Sequence, residues 1–83
     1  MTNTSHLQRP LQPMPQDIVE LLEQRGLVAD YEARPAYQRN DYLGWIARAA
    51  SDETRTKRDN QMLEELQKGG VYMNMVHNPS RKP

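Results

Sequence analysis

No cysteine occurs in this chain, and no phenylalanine. The first absence removes disulfides, cysteine-ligated zinc and thiol chemistry together. It leaves the redox compartment open, since a chain without thiols suits either. Aromatic residues are few, four Tyr and one Trp. Neither sign of charge dominates, because eleven basic residues meet eleven acidic ones. That balance argues against a strong general attraction to nucleic acid or anionic lipid, while still permitting a local basic face. No apolar run approaches the ~18 residues that a membrane span requires. The opening MTNTSHLQRPLQPMPQ lacks the apolar core of a secretory signal, so a cytoplasmic protein is expected.

The 83 residues make one small domain. A chain of this size buries only about 60% of its unfolded surface. With no disulfide to staple it, helix packing must supply the stability, and about 3–5 kcal/mol is the expected total. Monomer and homodimer both fit such a core.

Reactive constellations are missing as well. The two histidines, His6 and His77, fall in segments expected to be loose, and Ser5, Ser51 and Ser80 are not expected to find a histidine partner. Gly69-Gly70 reads as a helix stop, not as a phosphate-binding loop. The chain is therefore expected to be noncatalytic and to need no cofactor. Met73-x-Met75-x-His77 has the spacing of a soft-metal site such as one for Cu(I). The plainer reading, which leaves the metal out, is an inward-facing segment that uses Met to fill gaps.

What is present is helical. Residues 1–14 are polar, contain proline and show no periodicity, and are expected to form a disordered leader. Pro15 opens a first helix near 15–25, with Asp17 in its first turn and Ile18, Leu21 and Leu22 on one face. Gly26 then caps it, and Leu27 supplies the apolar contact of a Schellman motif. A short helical turn fits 27–33, bounded by Pro35. A helix over 36–50 carries the apolar stripe Tyr42, Leu43, Trp45, Ile46 and Ala49. Gly44 lies inside that stripe, where a neighbouring helix or the Trp45 ring is expected to come close. Ser51 and Asp52 cap a last helix near 53–68, whose apolar side is Met62, Leu63 and Leu66. Its first half, 54–61, lacks a large apolar residue, so that half should be solvated. Residues 71–76 alternate like a single strand, expected to lie as an extended arm with Val71 and the methionines facing inward. The tail 77–83 is expected to be disordered.

The blocks Pro15-Gln16-Asp17-Ile18, Tyr42-Leu43-Gly44-Trp45-Ile46-Ala47-Arg48-Ala49 and Asp52-Glu53-Thr54-Arg55-Thr56-Lys57-Arg58 together resemble the YdeI/OmdA family, the bacteriocin-protection, OmpD-associated proteins. The resemblance spans roughly 14–76. Its marks are a Tyr-Leu-x-Trp-Ile-x-x-Ala block, then Glu-Thr-Arg with a further Arg, then a Leu-rich helix ending at Gly. Two positions depart from the pattern. Ala50 stands where the family usually has Lys, and Asp59 where it usually has Ile or Val. The resemblance implies a link to antimicrobial-peptide resistance and to the bacterial envelope, and it brings no catalytic residues with it.

The expected architecture is all-α: a small orthogonal bundle of three to four helices occupying 15–76. The expected function is protein interaction. Tyr37, Tyr42, Arg48, Arg55 and Arg58 form the candidate partner-binding patch, because aromatics and Arg concentrate at binding hot spots. Two readings of its arginines stay open. They grip an anionic partner, or they pair internally, Arg55 with Asp52 or Asp59 and Arg58 with Asp41 or a helix end. The alternative partner is nucleic acid, read by a helix-turn-helix built on the corner near residue 51. Six basic side chains stand against three acidic ones between Arg34 and Arg58, a modest excess for that task.

Overall fold

A computed structural model describes residues 11–83. In chain order they form α1 (Gln16–Arg25), α2 (Val28–Glu32), α3 (Ala36–Ala47), α4 (Asp52–Lys68), β1 (Val71–Tyr72), β2 (Met75–Val76) and a 3-10 turn at Asn78–Ser80. Residues 1–10, most of the expected leader, lie outside the described part.

Local chemistry sets the helix ends. Gly26 takes the left-handed conformation (φ 67°, ψ 33°). Its N–H and that of Leu27 return to the carbonyls of Glu23 and Leu22, at 3.2 and 2.8 Å. These are the two bonds of a Schellman motif, and Leu27 is buried as that motif requires. Ser51 is extended, and its hydroxyl accepts the Thr54 N–H at 3.1 Å, which starts α4. The helix expected to reach Ala50 stops at Ala47. The chain must leave helical geometry early, because Ser51 can cap α4 only from an extended backbone.

The core holds ten buried apolar side chains drawn from all four helices and the link between α1 and α2. Ile18 and Leu22 come from α1, Leu27 and Tyr31 from the link and α2, Tyr42, Leu43 and Ile46 from α3, and Met62, Leu63 and Leu66 from α4. Leu21, Trp45, Tyr72 and Met73 pack on its rim. Of the stretch 54–61 expected to be solvated, all residues but one are exposed or half-buried; the exception is Asp59, which is buried.

Beyond α4 the expected all-helical fold needs correction. The segment 71–76 pairs with itself as an antiparallel hairpin, Val71 opposite Val76 and Tyr72 opposite Met75. Its turn residues, Met73 and Asn74, both have positive φ, 49° and 64°. That is the two-residue turn whose twist suits a hairpin, here built without glycine. Met75 and Val76 consequently face solvent, at 59% and 81% exposure. Of Val71 and the methionines expected to face inward, Met73 packs against the core, and Tyr72 joins it there. The tail, expected to lack order, is held in place. Ser80 Oγ accepts the Gly70 N–H at 3.0 Å and donates to the His77 carbonyl at 3.0 Å. Lys82 pairs with Asp30 at 3.1 Å.

Candidate functional site

Of the five side chains proposed as a partner patch, Tyr42 needs correction, because it lies out of a partner's reach. Tyr42 is fully buried, and its hydroxyl donates to the Glu65 carboxylate. Burial, reinforced by that carboxylate, pushes the phenol well above its ordinary value. Arg58 is spent on the corner. It donates to the Trp45 carbonyl at 2.6 Å and lies over the indole, 5.2 Å from its centre. This satisfies one of the carbonyls that the end of α3 leaves open. Arg48 and Ala49 N–H groups take two others, those of Gly44 and Ile46. Internal pairing at a helix end thus describes Arg58, with the end of α3 as its partner.

Arg55 is also engaged, but not by Asp52 or Asp59. Its guanidinium forks onto Asp17 of α1, at 3.0 and 3.3 Å. Arg48 and Tyr37 remain at the surface. They are eleven residues apart, about 16 Å along a helix of 1.5 Å rise. Gly44 does admit a close neighbour, though not the expected helix or indole. A Cβ there would meet Arg48 Nη1 at 3.0 Å and Gln12 at 3.3 Å. Gln12 belongs to the extended segment before α1, whose backbone N–H donates to Asn40 Oδ1 at 2.7 Å.

The fold gathers a different set of polar side chains: Arg34, Gln38, Tyr42 and Glu65, all buried. Glu65 is the hub. Its carboxylate accepts from Tyr42, from the Met73 and Asn74 N–H groups at 2.8 and 2.9 Å, and from Gln61 at 3.1 Å. Arg34 runs beside it. It donates to the Glu65 carbonyl at 2.9 Å, the Val71 carbonyl at 2.8 Å and Gln38 Oε1 at 3.2 Å. Together they stitch the hairpin to α3 and α4. Tyr72 completes the join, edge-on to Tyr37 and Tyr42 with ring centres 5.9 and 5.4 Å away.

Sequence reading missed this network, although one signal was available. Glu65 stands three residues after Met62 and one before Leu66, on the margin of the apolar stripe. The proposed soft-metal set is not assembled. Met73 packs on the core, Met75 faces solvent, and His77 Nδ1 lies 2.9 Å from Ser80 Oγ. Among the described residues no group of three His, Asp or Glu gathers as a metal site would.

Asp59 is the one conspicuous misfit. It continues the Met62, Leu63, Leu66 face of α4 and is 8% exposed. Its Oδ1 has no hydrogen-bond partner. Burial raises its carboxyl above the ordinary value; Arg55 opposes the shift and Asp17 adds to it. The folded state therefore holds this proton more tightly than the unfolded chain does. Below the ordinary aspartate range the effect favours folding in full, and it is lost as pH rises through the raised folded value. Asp59→Asn is expected to stabilise the protein at pH 7 by about 1 kcal/mol, because it removes the charge that burial disfavours. The gap should narrow toward pH 3. Urea melts of both proteins at the two pH values check this, and a gap that is constant with pH would refute the assignment.

The fold is a small helical domain with a buried polar network, closed by a hairpin, and comparison with known proteins gives it a family. Residues 13–69 match the family described as OmdA: Bacteriocin-protection, YdeI or OmpD-Associated. The chain belongs to this family. The match ends at the last helix and leaves the hairpin and tail outside it. No curated protein and no solved structure matches the chain.

Proposed function

We propose that this protein is a noncatalytic protein-interaction module of the YdeI/OmdA family, and that it meets its partner through the hairpin end of the fold and not through the corner near residue 51. One observation carries this reading. Tyr37 and Met75 are 52% and 59% exposed and are joined through Tyr72, which touches Tyr37 and pairs with Met75, while Val76, 81% exposed, extends the exposed apolar surface on the other side of the same hairpin. Apolar side chains that are both exposed and contiguous mark interaction surfaces more often than scattered ones do. The nucleic-acid alternative draws less support, because Arg55 and Arg58, two of the basic side chains it needs, already have partners in Asp17 and the Trp45 carbonyl. The family description directs the search for the partner toward the cell envelope.

A photo-crosslinking residue placed at position 76 tests this in cells. The control position is Lys57, on the solvated half of α4. The expected result is a discrete protein adduct from position 76 that is absent from position 57. Adducts to nucleic acid alone, or equal adducts from both positions, would overturn the proposal.

A further inference from the structure

A cleft of about 200 Å³ lies between α2, the end of α4 and the tail, with Asp30, Arg34, Leu66, Ser80, Arg81 and Lys82 on its walls. Arg34 is the unusual member. It is 4% exposed, yet every acceptor it reaches is neutral: two backbone carbonyls and the Gln38 amide. Among the described residues it forms no ion pair. The carboxylate of Glu65, from the next turn of the network, is already committed to four donors. Buried charges are ordinarily paired, because desolvating a lone ion is costly. A guanidinium carries five N–H donors, and three bonds are accounted for.

The cleft is positive as a whole. Three cations, Arg34, Arg81 and Lys82, line it against the single carboxylate of Asp30, which Lys82 meets at 3.1 Å. Its tail wall is preformed, because Ser80 is tied to Gly70 and His77. A cleft lining with two cationic charges in excess, one of them buried with no carboxylate in direct contact, fits a small dianion that offers several acceptor oxygens. We propose that this cleft binds a phosphate-type dianion, either free phosphate or the terminal group of a small phosphomonoester. Arg34 serves as the fixed donor at the wall, and Arg81 and Lys82 close on the anion from the tail. Lys82 exchanges Asp30 for the ligand when it does so.

The test is an NMR titration of the full chain, ¹⁵N-labelled, with inorganic phosphate and separately with glycerol phosphate, against sodium chloride at matched ionic strength. The expected result is saturable shifts confined to Arg34, Leu66 and residues 80–82. In the double variant Arg81→Ala, Lys82→Ala the affinity should fall about tenfold, as loss of two charge-assisted contacts implies. Both side chains are exposed, so the variant should keep the wild-type fold, which its spectrum will show. Tighter binding of glycerol phosphate identifies a phosphomonoester as the ligand, and equal binding identifies the free anion. Shifts no greater than those with chloride, shifts spread over Arg48 and Lys57, or unchanged affinity in the double variant would each overturn the proposal.

Discussion

Replacement of Glu65 by Ala is expected to leave little folded protein at 25 °C. The carboxylate accepts four hydrogen bonds, and its loss strands all four donors. The Tyr42 hydroxyl is the worst placed, since that residue has no exposed surface through which water can substitute. A buried polar group left unpaired costs about 1–3 kcal/mol. The Met73 and Asn74 amides recover part of their loss from solvent, so the expected total is about 3–5 kcal/mol. That equals the whole stability anticipated for a domain of this size, about 3–5 kcal/mol. Glu65→Gln keeps one acceptor oxygen and should cost less, about 1–3 kcal/mol. Urea titrations followed by far-UV dichroism and by Trp45 fluorescence give the order wild type, Gln, Ala. In the Gln variant, amide exchange at Met73 and Asn74 should accelerate more than in the helices, because the hairpin is held chiefly from this point. An Ala variant within about 1 kcal/mol of wild type would mean that the network is not the joint between hairpin and helices.

How far the fold could be read in advance follows from the range of each interaction. Ile18, Leu22, Leu43, Ile46, Met62, Leu63 and Leu66 are core residues, and their helical spacing alone identifies them. Gly26 with Leu27, and Ser51 with Thr54, are caps completed within a few residues, so they too are legible. The hairpin was hidden because its turn is Met73-Asn74, and Met is no signal for a positive φ. Only the distant carboxylate of Glu65, taking both turn amides, makes that geometry stable. The engagement of Tyr42 and Arg58 was hidden for the same reason. Tyr42 and Arg58 look available in sequence, and their partners Glu65 and the Trp45 carbonyl lie 23 and 13 residues away. A single sequence displays the chemical capacity of an Arg or a Tyr, but not whether a distant acceptor has already taken it. Asp59 was noticed as a departure from the family pattern, and the structure shows the physical cost: a carboxylate on an apolar face.

Gly69→Ala should be nearly as damaging as Glu65→Ala, for reasons of backbone and space and not of charge. Gly69 ends α4 at φ 73° and ψ 160°. That region is essentially closed to residues with a Cβ and costs about 1–3 kcal/mol when forced. The added Cβ would also sit 2.7 Å from the Ser80 carbonyl oxygen and 2.7 Å from Lys82 Cγ. The lysine can swing aside. The Ser80 backbone cannot, because its side chain is tied to Gly70 and His77. Relief of the clash must therefore lift the tail off the end of α4. Gly26→Ala supplies a comparison free of the clash: at φ 67° and ψ 33° it lies in the milder left-handed helical region, and no neighbouring group lies within 4 Å of the new Cβ. The left-handed backbone alone should cost about 1–2 kcal/mol there. The expected outcome is a Gly69→Ala loss exceeding the Gly26→Ala loss by at least about 1 kcal/mol in urea melts, together with faster amide exchange over residues 77–82 in the former variant only. Equal losses at the two glycines would mean that the tail does not press on the end of α4, and the wall that shapes the cleft around Arg34 would go with it.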